Sequence, residues 1–162
     1  MIETRSPTSP MRSVVEATDV DVRRLTRDDA HLLTRVASDV FDHQVDPTLT
    51  AEFLDDGRHH LAVAIDGDHI VGMASALHYV HPDKSPQLWI NEVGVAPSHR
   101  QRGIGKRLLD CLMRVAEELG CTEAWVLTDR DNSAGRRLYE SVGADTPAEE
   151  CLMYTIRLPR PG

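Results

Sequence analysis

One stretch, Gln87 to Leu119 (QLWINEVGVAPSHRQRGIGKRLLDCLMRVAEEL), limits the folds open to this chain more than any other. It reads as an apolar strand, a turn marked by Ala96-Pro97, a basic glycine loop from Arg100 to Gly105, and a long amphipathic helix. A strand feeding a glycine loop that opens a helix gathers unpaired backbone N–H groups at the positive end of the helix dipole. Such an arrangement is a site for phosphate. Residue identity excludes two common versions of it. The nucleotide P-loop needs a glycine where Arg100 stands and Ser or Thr after its Gly-Lys pair, where this chain has Arg107. The dinucleotide fingerprint needs a third glycine at the position of Leu108.

What remains, Arg100-x-x-Gly103-x-Gly105 after a strand ending Val93-Gly94-Val95-Ala96-Pro97, resembles the acetyl-coenzyme A signature of the GNAT N-acetyltransferase superfamily. Asp129-Arg130-Asp131-Asn132-Ser133-Ala134, followed by Leu138-Tyr139-Glu140 and Gly143, is similar to the second signature of that family. The resemblance covers roughly residues 20 to 158 and implies an acetyl-CoA-dependent acyltransferase without a metal. It also implies an α/β, more narrowly α+β, fold: a mixed, mostly antiparallel sheet flanked by helices, with strands 88–95 and 123–127 splayed to admit the pantetheine arm.

At 162 residues the chain suits one domain. We expect residues 1–18 to be a disordered extension, since they lack the apolar core of a signal peptide, and residues 19–162 to be the domain. With 41% hydrophobic residues and no apolar run near the length of a membrane span, a cytoplasmic protein is expected. Cysteines at 111, 121 and 151 have no metal-like spacing and read as buried free thiols. His59-His60 and His78-x-x-His81 do not suggest a metal site, because the latter spacing puts the two rings on opposite faces of a strand. The net charge of −8 argues against nucleic acid, whose binding is dominated by phosphate neutralisation. That charge is uneven. Asp39, Asp42, Asp46, Glu52, Asp55, Asp56, Asp66 and Asp68 face only Arg58, whereas Arg100, Arg102, Lys106, Arg107 and Arg114 face only Asp110. The first run suits a cationic partner and the second an anionic cofactor, and ordinary solvated faces would read the same way.

In chain order, Val20 to Leu25 reads as a strand, and Thr26 as the cap of a helix through about Val40. Thr50 can cap a short helix over Ala51 to Asp56. Leu61 to Ile65 and His69 to Val80 form a hairpin across Asp66-Gly67-Asp68. After the glycine loop, Ile104, Leu108, Leu112, Val115 and Leu119 share a helix face stopped by Gly120. Glu123 to Leu127 is a strand, a helix starts near Asn132 or Ser133 with Leu138 and Val142 inward, and Cys151 to Leu158 is a last strand. In the resemblance that last strand is a partner edge for a homodimer.

Acetyl transfer to an amine with a pKa near 10.4 requires a deprotonation costing roughly 4–5 kcal/mol at pH 7, so a general base is valuable. Glu92, on the strand before the glycine loop, is the candidate, and it shares a strand face with Gly94. A partly buried carboxylate held by local hydrogen bonds is the competing reading. Gly94 itself marks close approach of a ligand backbone. By resemblance, Val93, Gly94 and Val95 hold the pantetheine arm. The amides of Arg100, Gln101, Arg102, Gly103, Ile104, Gly105 and Lys106 hold the pyrophosphate, with Arg100 and Arg102 adding charge, and Asn132 contacts the arm or caps a helix. Tyr139 is the implied acid for the departing thiolate, or else a core tyrosine.

The stretch Ala76 to Pro82, leading to Ile90-Asn91-Glu92-Val93-Gly94-Val95, with Glu149-Glu150 before Leu152-Met153-Tyr154, resembles type I aminoglycoside 3-N-acetyltransferases. That narrower likeness implies a polycationic antibiotic as acceptor, met by Asp39, Asp42, Asp46, Tyr79, Glu149 and Glu150. Glu92 stands there in place of a shorter acid. A GNAT acting on a polyamine, an amino acid or a protein amine, and a non-catalytic acetyl-CoA sensor, are the alternatives.

Overall fold

A computed structural model describes residues 20–159, so the expected extension at 1–18 lies outside the described residues. Five strands form one sheet in the order β1 to β5: Asp21–Arg24, His59–Asp66, His69–Tyr79, Gln87–Val95 and Glu123–Val126. The first three pairings are antiparallel and β4 with β5 is parallel. The helices are α1 (Pro47–Asp55), α2 (Ile104–Glu118) and α3 (Ser133–Ser141).

One sheet face belongs to α2. Ile104, Leu108, Leu109, Leu112 and Val115 are buried along its apolar stripe, and Gly120 ends it at φ 72°. A Cβ on Gly72 of β3 would press on Ile104 and Leu108, so from Gly72 onward the even-numbered residues of β3 point toward α2. Their cross-strand partners Leu88, Ile90, Val93 and Val95 share that side.

The step from Ile90 to Val93 needs an extra residue, and the register supplies it. Ala76 pairs with Ile90 but Ser75 pairs with Glu92, which leaves Asn91 as a bulge in β4. Strict alternation would have set Glu92 on the α2 side with Leu88 and Ile90. Past the bulge it lies with Gly94 on the opposite face, opposite Ser75 and Met73.

Several elements depart from expectation. The segment after Thr26 forms a 3-10 helix, Arg27–Thr34, with a capping box between Thr26 and Asp29, and does not continue to Val40. Beyond it the backbone is captured by β3: the Ile70 N–H donates to the Arg35 carbonyl and the Ala37 N–H to the Ile70 carbonyl, each at 2.8 Å. The next helix starts earlier than expected. Asp46, not Thr50, caps α1 by accepting from the Thr48 and Leu49 N–H groups, and Pro47 fits the first helical turn. No strand forms over 151–158. Tyr154 and Ile156 are each 84% exposed there, and β5 has no neighbour on its outer side among the described residues. The thiols also differ from the expected buried set: Cys111 is buried, Cys121 intermediate and Cys151 exposed.

Candidate active site

Pairing between β4 and β5 stops at Ile90–Val126, so β4 runs on from Asn91 to Val95 past the end of β5. This is the splay expected of the two strands. Beyond it lies the glycine loop, where Gln101 (φ 59°) and Gly103 (φ 75°) adopt left-handed backbone and Gly103 caps α2. Arg100, Gln101, Arg102 and Gly103 are exposed. The first-turn N–H groups of α2 have no intrahelical acceptor and stand behind that loop. Arg100 donates from Nε to the Val95 carbonyl at 3.0 Å, which ties the loop to the strand. Lys106 pairs with Asp110 at 3.1 Å, and Arg107 donates to the Val20 carbonyl at 2.8 Å. The loop can therefore take an anion on its amides, with Arg102 as an exposed cation beside them. Gly105 is small because Leu138 of α3 sits against it.

The face opposite α2 holds a cavity of about 380 Å³. Phe41, Phe53 and Leu61 wall it, and Asp42, His43 and Glu92 supply charge. Its roof is brought down by a glycine. A Cβ on Gly94 would overlap the Val40 carbonyl, so the chain lies directly on β4 at that point and carries Phe41, Asp42 and His43 over the sheet. The close approach expected at Gly94 is thus made by this chain's own backbone. Burial raises the Glu92 pKa above the ordinary carboxylate value, Asp42 raises it further, and His43 pulls it down. A carboxylate so placed binds a proton more readily than a solvated one, which suits a base.

The remaining candidates are distributed unevenly. Asp46 lines the cavity while its carboxylate caps α1. Asp39, at φ 60°, is not in the lining. Half of the acidic run is in ion pairs: Asp55 pairs with Arg27 at 3.0 Å, Asp66 with His99 at 2.9 Å, Asp56 with Arg58, and Asp68 with Arg35. Asp42 has no ion-pair partner among the described residues. Glu149 and Glu150 are exposed outside the cavity, Glu150 paired with Arg130. Asn132 caps α3 by accepting from the Gly135 N–H at 2.9 Å and donates to Thr128 at 3.0 Å. Tyr139 packs half-buried against the core, and burial raises its pKa, which keeps its hydroxyl protonated. Tyr79 stands edge-on to Trp125, with centroids 6.3 Å apart. His43 and Ser75 were not legible as site residues, because nothing in the sequence marks a histidine on a folded-over loop or a serine opposite a bulge.

On the α2 face, His60 and His78 share a hydrogen bond of 2.8 Å, and burial lowers the His60 pKa to about 4. No cluster of metal-ligating side chains occurs among the described residues.

The Acetyltransferase (GNAT) family profile matches residues 23–144. The chain belongs to the GNAT acetyltransferase family. It is accordingly an acyltransferase, and the five-stranded mixed sheet is the GNAT fold. Among curated relatives, the aminoglycoside N(6')-acetyltransferase type 1 of Salmonella typhimurium is 30% identical over 104 residues, 60% of this chain and 71% of the relative. An L-2,4-diaminobutyric acid acetyltransferase of Streptomyces coelicolor is 38% identical over 81 residues, 49% of this chain and 47% of the relative. An aminoglycoside acetyltransferase from an uncultured soil sample, solved with sisomicin, superposes with a TM-score of 0.74 at 20% identity, covering 86% of this GNAT chain and 97% of the other. Aminoglycoside N-acetyltransferase AAC(6')-Iy, solved with CoA, gives 0.72 at 22%, covering 90% and 99%. These aminoglycoside relatives carry the 6′ position in their names where they state one, in place of the 3-N position implied by the shorter stretches.

Proposed function

We propose that this GNAT enzyme transfers acetyl from acetyl-CoA to a primary amine of a small cationic acceptor by direct attack in a ternary complex, with Glu92 as the base. The observation carrying this is the bulge at Asn91, which sets Glu92 beside Asp42 in a cavity on the face away from α2, where β4 and β5 part. The ammonium docks between the two carboxylates. Glu92 takes a proton, directly or through a water, and the neutral amine attacks the thioester carbonyl. The chain presents the amides from Gln101 to Lys106 and the Arg102 side chain to the pyrophosphate, and the free edge of β4 at Val93 to Val95 to the pantetheine arm. Tyr139, protonated by virtue of burial, returns a proton to the departing thiolate, a smaller task worth about 2 kcal/mol for a thiol of pKa near 8.5.

For the acceptor, an aminoglycoside amine is the first candidate, and the named relatives favour position 6′ over position 3. A small diamino acid is the second. Ion pairs occupy half of the acidic run and the Asp46 carboxylate caps α1, which leaves fewer carboxylates for a polycation, and the diaminobutyrate relative has the higher identity. Thiol release from acetyl-CoA across aminoglycosides, 2,4-diaminobutyrate, polyamines and peptides tests both. Release with one of the first two classes supports the reading, and its absence with every amine overturns it.

A further inference from the structure

A second cavity, of about 300 Å³, adjoins the first and shares Phe53, Ser75 and Asn91 with it. Its floor is a row running straight across the sheet. His59 pairs with Leu77, Leu77 with Trp89, and Trp89 with Trp125, so all four stand on the face of Glu92. The two indoles stack with centroids 5.2 Å apart and planes 9° apart. On the far side of Leu77, Phe53 of α1 packs on His59 at 4.8 Å. Trp125 therefore covers one face of Trp89, and the cavity lies on its other side, between it and the Phe53–His59 pair. The next row toward the reactive end is Leu61, Ser75 and Glu92. Successive same-face rows are about 7 Å apart along a strand, and the bulged Asn91 sits between these two.

From this continuity we infer that Trp89, braced by Trp125, is a specificity-determining platform for a cationic saturated ring of the acceptor, held roughly 7 Å from the amine at Glu92. An indole face attracts the C–H face of a sugar-like ring and any ammonium it carries, and bracing by a second indole holds that face rigid. The Asn91 amide, lining both cavities, is placed to bond a hydroxyl on the link between amine and ring. A linear diamino acid spans only the first cavity. The inference rests on the acetyltransferase reading for the position of the amine, and it selects the ring-bearing class of acceptor.

The test uses the fact that Trp89 and Trp125 are the only two tryptophans in the chain, so intrinsic emission reports on the platform alone. Neamine should change that emission saturably in the full-length protein and in Glu92→Gln, whereas 2,4-diaminobutyrate should not. In turnover, Trp89→Leu should raise KM for neamine about tenfold, leave kcat within about twofold, and leave KM for diaminobutyrate unchanged, with Trp89→Phe restoring most of the neamine affinity. An equal KM rise for both acceptors, an unchanged neamine KM, or turnover of neamine without an emission change overturns the platform. If Trp89→Leu does not fold, the emission titrations on the two proteins retaining both indoles decide the matter. A saturable emission change with no acetylation of any amine would instead retain the platform as a binding site and sink the catalytic reading.

Discussion

The two faces of this sheet are built to opposite ends. Under α2, a fifteen-residue helix inserts a continuous stripe, Ile104, Leu108, Leu109, Leu112 and Val115, against β1 to β4, and nearly every side chain there is buried. On the other face the covering pieces are a short 3-10 helix that buries only Leu33 and α1, which buries no residue fully. Two cavities remain between them and the strands. A single β-sheet thus keeps its packing on one side and its vacancy on the other. Close packing excludes ligands, and a site requires that some packing be forgone.

Substitutions can separate the two faces. Glu92→Gln should cost the most, lowering kcat/KM about 10²- to 10⁴-fold at neutral pH, with partial recovery as pH rises and the amine loses its proton unaided. A pH–rate profile parallel to the wild type would show that Glu92 is not the base. On the packed face, Leu112→Ala should destabilise the fold by about 2–5 kcal/mol with little change in KM of the folded fraction, read by urea unfolding. Phe53→Ala, on the open face, should do the reverse, and equal stability losses would erase the distinction between the faces. Tyr139→Phe should reduce kcat about 10- to 30-fold, in keeping with the smaller cost of thiolate departure. Unchanged kcat would make Tyr139 a packing residue.

Smaller effects concern protons. Asp42 raises the Glu92 pKa, so Asp42→Asn should move the acidic limb of the kcat/KM profile to lower pH; movement upward would contradict the arrangement. Because the folded state holds the Glu92 proton more tightly than the unfolded chain does, Glu92 costs stability as pH rises from the ordinary carboxylate value of 4.5 through its higher folded pKa. Glu92→Gln should therefore melt at or above the wild-type temperature at pH 7, with the difference vanishing in acid. Lower melting at pH 7 would mean that the carboxylate is held by stabilising bonds.

Legibility in the sequence follows the same division. The strand, glycine loop and α2 were readable because the helix period, the loop glycines and the stop at Gly120 are local properties of consecutive residues. The hairpin at Asp66-Gly67-Asp68 was readable for the same reason, with Gly67 at φ 62°. The open face was not, since it is assembled by long-range events. The chain after Thr34 is taken into pairing with Ile70, Val40 descends on Gly94, and ion pairs consume carboxylates that looked free in a charge count. The expected strand at 151–158 needs a neighbour to pair with, and a partner is a long-range property that the segment's own residues do not supply.

The extra residue in β4 has a further consequence for how such an enzyme can change. Side-chain direction on a strand takes two values, and the bulge lets two residues, Asn91 and Glu92, stand between Ile90 and Val93 while both of those face α2. Substitutions at Asn91 can tune the site by degrees. A one-codon deletion of Asn91 would leave Glu92 alone between Ile90 and Val93, so regular alternation would keep those two toward α2 and Glu92 on the open face while the bulge itself is lost. Descent along this strand is consequently open to loss of the bulge residue, whereas a one-residue change at the paired positions on either side of it would turn one set of side chains to the wrong face.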